Sequence, residues 1–148
     1  MNDKRRYVAD TNILVSAAIF DGSVPWRAVE WIVLNGALLF SPDTADEVHE
    51  VLARPKFDRY VPGLIRRRFL QRLMAVGQTV LPTEQIAACR DPKDDKFLAV
   101  AVVGGAECIV TGDADLLALN PYRSIRIVTA AAFLQKREST ADHPHADA

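Results

Sequence analysis

Short apolar runs alternate along the chain with longer stretches whose apolar residues recur at helical spacing. Tyr7-Val8-Ala9 reads as a strand ending at Asp10, and Ile13 to Phe20 follows with helical periodicity. Ser23 and Pro25 open a helix that runs to Leu34 and stops at Asn35-Gly36, after which Ala37 to Phe40 forms a second strand. Thr44 and Glu47 have capping-box spacing, which puts Glu47 in the first turn of a helix that ends at Arg54-Pro55. Pro62 starts a longer amphipathic helix, with Ile65, Phe69, Leu73 and Val76 on one face and Gly77 at its end. Thr79 to Leu81 reads as a third strand. A polar connection through Asp91-Pro92-Lys93 leads into a helix from Asp94 to Val103, apolar almost all round and therefore a core element. Beyond Gly104-Gly105, strand Cys108 to Val110 leads to Thr111-Gly112-Asp113. Helix Asp115 to Leu119, strand Ile125 to Val128 and helix Ala130 to Lys136 complete the pattern.

Alternating strands and helices specify an α/β fold with a mainly parallel sheet, because each parallel pair needs a crossover long enough for a helix. The pattern predicts one three-layer domain over residues 1–137. Residues 138–148, with Ser139, Thr140, Asp142 and His143-Pro144-His145, read as a disordered polar tail. A chain of 148 residues, 49% apolar and 25% charged, buries roughly 68–70% of its unfolded surface and needs no structural metal or disulfide. Cys89 and Cys108 stand singly, without metal-ligand spacing, as expected of thiols in a reducing compartment. No apolar run reaches the roughly 20 residues that cross a bilayer, and no signal peptide is expected at Met1 to Arg6. A cytoplasmic protein without membrane contact is the expectation. The net charge of −1 excludes nucleic-acid binding through bulk positive charge and leaves only a local patch.

In open parallel sheets, sites form beyond the carboxyl ends of the strands, where Asp10 and Asp113 stand. Asp95 and Glu47, each at the start of a helix, could face the same crevice. Carboxylates driven together share protons or take a cation, and hard oxygen ligands select Mg²⁺ or Mn²⁺. Paired divalent ions support phosphodiester hydrolysis without a nucleophilic side chain. Neither a phosphate-binding Gly-x-x-x-x-Gly-Lys loop nor a Gly-x-Ser-x-Gly elbow is present, and His49 and the two tail histidines offer little. Each acid taken singly also reads as a helix cap, worth roughly 0.3–2 kcal/mol. That alternative weighs most on Glu47 and least on Asp10, whose charge ends an apolar strand and enters an apolar helix.

Val8-Ala9-Asp10-Thr11-Asn12-Ile13-Leu14 resembles the opening motif of PIN-domain proteins. Ala45-Asp46-Glu47-Val48, Asp91-Pro92-Lys93-Asp94-Asp95-Lys96-Phe97-Leu98-Ala99 and Val110-Thr111-Gly112-Asp113-Ala114-Asp115-Leu116-Leu117 resemble the second, third and fourth acidic motifs, in order. The likeness spans Tyr7 to Phe133 and is nearest to the VapC-like branch of bacterial toxins. It implies an α/β/α sandwich, Mg²⁺- or Mn²⁺-dependent RNA cleavage, an antitoxin partner and a homodimer. It assigns Asp10, Glu47, Asp95 and Asp113 to metal binding and catalysis, with Asn12 and Thr111 orienting the carboxylates. Asp95 is preferred over Asp94 because, counted from Asp95, Leu98-Ala99 falls where the family's apolar pair lies. Asp94 and Asp115 are then supporting groups or caps.

Arg66, Arg67, Arg68 and Arg72 read either as phosphate contacts or as a solvated helix face. Trp26 and Trp31 read as core or interface. Two other functions stay open at this point: an inactive PIN scaffold binding RNA or protein, and a structure-specific DNA nuclease.

Overall fold

The computed structural model describes residues 4–141. Five strands, β1 (Arg6–Ala9), β2 (Ala37–Phe40), β3 (Gln78–Thr79), β4 (Cys108–Val110) and β5 (Arg126–Val128), form one sheet in the order β3-β2-β1-β4-β5. Every pairing is parallel, with Tyr7 beside both Leu38 and Cys108 and Val110 beside Val128. The helices are α1 (Thr11–Ile19), α2 (Val24–Asn35), α3 (Pro42–Leu52), α4 (Gly63–Val76), α5 (Asp95–Gly104), α6 (Ala114–Leu117) and α7 (Ala130–Ala141). Single 3₁₀ turns lie at Pro55–Phe57 and Pro92–Asp94.

Side chains alternate across the sheet as the pleat requires. Tyr7, Ala9, Leu38, Phe40, Cys108 and Val110 pack against α1, α2, α3, α4 and α7. Val8, Leu39, Ile109 and Ile127 pack on the other face, against α5 and α6. Both faces are covered, which is why the strands read as continuous apolar runs rather than as alternating ones. Gly77 turns the chain from α4 into β3 where a Cβ would lie 2.6 Å from the Leu38 carbonyl oxygen. Gly105 ends α5 at φ +67°, a left-handed conformation suited to glycine.

Three expectations change. The inward face of α4 is Arg66, Leu70 and Leu73, whereas Ile65 and Val76 are half exposed. A pattern that assigns every arginine to solvent rotates this helix wrongly. Helix α3 starts at Pro42, capped by Ser41, whose hydroxyl accepts from the Thr44 amide while Thr44 Oγ1 accepts from the Ser41 amide. Ser41 and Thr44 therefore close the capping box, and Glu47 moves to the second turn. Finally, α7 continues to Ala141, past the Lys136 expected as its end; residues 142–148, including His143-Pro144-His145, lie outside the described residues.

Candidate active site

Strand β1 is central, and the chain leaves it first toward β2 and later toward β4 on the other side. The gap beyond the carboxyl ends of β1 and β4 is therefore a topological switch point, where open α/β sheets form their crevices. A crevice of about 530 Å³ lies there, with Asp10, Glu47, Asp94 and Asp113 among its walls.

Asp10 follows β1 directly and is 4% exposed. One carboxylate oxygen accepts from the Ile13 amide at 2.9 Å and caps α1; the other accepts from the Thr111 hydroxyl. Thr111 Oγ1 also accepts from the Asp113 amide at 2.9 Å, so this fully buried threonine ties the two strand ends together. Thr111 thus links the Asp10 carboxylate to the Asp113 backbone. Burial pushes the Asp10 carboxyl above its ordinary range, with the charges of Asp113 and Glu47 adding to it, against the hydrogen bonds from Thr111 and Ile13.

Asp113 caps α6, accepting from the Leu116 amide at 3.0 Å. Glu47 points from α3 and accepts from the Thr11 hydroxyl with one oxygen, while the other meets Lys96 Nζ at 2.7 Å. Asp10 and Asp113 therefore do act as caps, each with one oxygen. Glu47 does not, because Ser41 and Thr44 have taken over the start of its helix.

At the third motif the two adjacent aspartates face different hollows. Asp94, at the end of the 3₁₀ turn before α5, makes no side-chain cap and lines the crevice. Asp95, the expected ligand, turns away into a neighbouring hollow with Ser41, Asp43 and Glu84. Its Oδ1 accepts from the amides of Cys89 at 2.7 Å and Ala88 at 3.1 Å, anchoring the preceding loop. Successive residues on a helix diverge by about 100°, and here that sends Asp94 into the crevice and Asp95 into the neighbouring hollow. Their acidities separate accordingly. Burial raises the Asp94 carboxyl to about 6, helped by the charge of Asp113 and the hydrogen bond shared with it. Burial acts upward on Asp95 as well, but the Cys89 and Ala88 amides outweigh it and hold this carboxyl below its usual value.

Asp94 binds its proton more tightly folded than unfolded, so its contribution to stability is complete below the unfolded value of 3.8 and is lost as pH rises through about 6. Without divalent cations, Asp94→Asn is expected to melt above the wild type at pH 7, with the advantage gone near pH 4. Thermal melts across that range, with no pH-dependent difference between the two proteins, would refute this.

The remaining expected residues divide. Asn12 is exposed on the crevice wall, and Asp115 lies in the first turn of α6, outside the crevice lining. Arg66 is buried, and four of its five N–H donors are taken by the carbonyls of Leu52, Arg54 and Val61 and by Asp58, so it serves the backbone around it rather than a phosphate in the crevice. Arg72 pairs with Glu30 and lies over the Phe69 ring, while Arg67 and Arg68 are exposed. None of these four lines the crevice. Its cations are Arg54, Lys93 and Lys96, which sequence reading passed over because they are scattered over two helix ends. Trp26 and Trp31 are half buried against the core, and Trp31 packs edge-on to Tyr7 and Phe133.

Among the described residues, no three His, Cys, Asp or Glu side chains stand close enough around one point to hold an ion. The donor set still fits a hard cation in kind, since five carboxylates, those of Asp10, Glu47, Glu50, Asp94 and Asp113, line one water-accessible volume, and Asp10 and Asp94 are pushed toward protonation there. No helix among the described residues is long and apolar enough to cross a membrane.

The sequence profile of the PIN domain matches residues 6–115. The protein MJ1680 of Methanocaldococcus jannaschii is 29% identical over 145 residues, covering 91% of this chain and 93% of that one. VapBC2 from Rickettsia felis, solved bound to a DNA fragment from its promoter, superposes with a TM-score of 0.57 at 13% identity, over 82% of this chain and 96% of that chain. PAE2754 from Pyrobaculum aerophilum gives 0.60 at 17% identity, over 90% of each chain. At such identities the two superpositions speak for the fold.

Proposed function

Because this chain belongs to the PIN domain family, we propose that it is a divalent-metal-dependent endoribonuclease, the toxin of a toxin–antitoxin pair, with Asp10, Glu47, Asp94 and Asp113 as its site. The observation that carries this reading is the gathering of four acids, distant in sequence, around one crevice at the switch point of the sheet. A bound Mg²⁺ or Mn²⁺ would lower the pKa of its water and stabilise the leaving oxygen of a phosphodiester. Asp10, Asp94 and Asp113 would hold the ion, with Glu47 completing the site and orienting water. Thr111 keeps Asp10 and Asp113 in register. Arg54 and Lys93 supply the positive charge that a phosphate backbone needs at the crevice of a chain whose net charge is −1. The antitoxin partner rests on the likeness to VapBC2, and the homodimer on the family resemblance alone.

Purified protein is expected to cut single-stranded or structured RNA with Mg²⁺ or Mn²⁺, leaving 5′-phosphates, and to stop when the metal is chelated. Undiminished cleavage in chelator would end the metal-dependent reading, and cleavage of DNA alone would transfer it to a DNA nuclease. A non-cutting scaffold is favoured by one observation, that the acids do not yet surround a single point. Calorimetric titration separates that case, since a scaffold takes up no divalent ion at millimolar concentration.

A further inference from the structure

Lys96 lies on the first turn of α5, yet its ammonium is turned into the acidic crevice. Nζ is 2.7 Å from Glu47 Oε1 and 2.6 Å from the Lys93 carbonyl oxygen, and the ammonium stands 5.5 Å from the Phe97 ring centroid. The two paired side chains are only 21% and 30% exposed. A helix amino end disfavours a cation, and a lysine stem is long enough to carry its charge into water. The inward pose is held by Glu47, with the Lys93 carbonyl and the Phe97 ring beside it. Glu47 is engaged on both sides, by Thr11 at one oxygen and by Lys96 at the other.

Resting on the metal-site reading above, we propose that Lys96 is a resident cation that occupies Glu47 in the metal-free chain and competes with the divalent ion for it. Lys96 is a positioning residue in this role. It balances part of the negative charge of a crevice lined by five acids, alongside Arg54 and Lys93. An incoming divalent ion has to displace the ammonium from Glu47 before that carboxylate can serve it, which lowers affinity below what the acids alone would provide.

Calorimetric titration of the full chain with Mn²⁺ tests this, using wild type, Lys96→Gln and Lys96→Arg. Lys96→Gln is expected to bind roughly two- to fivefold more tightly, the size typical of a partly exposed ion pair. Lys96→Arg, which keeps the charge, stays near wild type. In a Glu47→Gln background the gain from Lys96→Gln disappears, as a double-mutant cycle requires of a pair that acts together. Should Lys96→Gln not fold, Lys96→Met retains an apolar stem beside Phe97 and carries the same comparison. A merely structural lysine would give equal or weaker Mn²⁺ binding when replaced, or a gain that persists without Glu47; each overturns the inference while leaving the metal site intact. Absence of Mn²⁺ binding in every variant, wild type included, overturns the proposed function itself.

Discussion

Asp10→Asn and Asp94→Asn are each expected to lower metal-dependent RNA cleavage by on the order of a thousandfold, while Asp95→Asn leaves the rate within a few-fold of wild type. A metal site contributes several kcal/mol of transition-state stabilisation, and each 1.36 kcal/mol is a factor of ten. Asp94 and Asp10 face the crevice; Asp95 does not. The cost of Asp95→Asn falls on stability instead. Its carboxylate holds the amides of Ala88 and Cys89, and weakening such charge-assisted bonds costs about 1–2 kcal/mol. Cleavage rates and thermal melts of the three variants, measured side by side, decide the matter. Loss of activity in Asp95→Asn with full activity in Asp94→Asn would reverse the assignment. Because neighbouring carboxylates differ only in direction, this pair separates a ligand from a loop anchor with almost no change in composition.

Arg66→Ala is expected to destabilise the protein by about 3–5 kcal/mol, the range seen when a buried charged group with several partners is removed. The guanidinium donates to the carbonyls of Leu52, Arg54 and Val61 and to Asp58, tying the end of α3 to the segment that leads into α4. Truncation leaves those carbonyls without their donor. Arg66→Lys recovers only part of the loss, since an ammonium cannot reproduce the planar fork. Asp58→Ala costs no more than about 1 kcal/mol, because Asp58 is 63% exposed and the carbonyls still hold the arginine. Denaturant unfolding of the three variants checks the ranking. An Arg66→Ala protein as stable as wild type, with weakened RNA binding, would return Arg66 to a phosphate-contact role.

Both predictions depend on directions that a one-dimensional pattern does not carry. Arg66 and Asp95 looked like members of a basic face and an acidic motif. Each is instead a structural tie, because the backbone groups around it need a partner more than solvent or substrate does. The spacing of Thr44 and Glu47 matched a capping box, but Ser41, one residue before Pro42, already closes it with Thr44. That left Glu47 free for Thr11 and Lys96. The crevice cations Arg54, Lys93 and Lys96 gave no signal, since they belong to different elements brought together only by the fold.

What the sequence determined by itself is the order of elements, the parallel α/β class and the placement of Asp10 and Asp113 at strand ends, because these follow from periodicity and from local cap and turn chemistry. The four-motif likeness to the PIN family was equally local and agrees with the profile match over residues 6–115. The tertiary structure alone decided which of two adjacent aspartates enters the crevice, which arginine is buried, and that Glu47 is paired with a lysine. Those choices turn on the rotation of α4 and α5 about their own axes. That rotation is set by packing against the sheet and by backbone amides and carbonyls seeking partners across the fold.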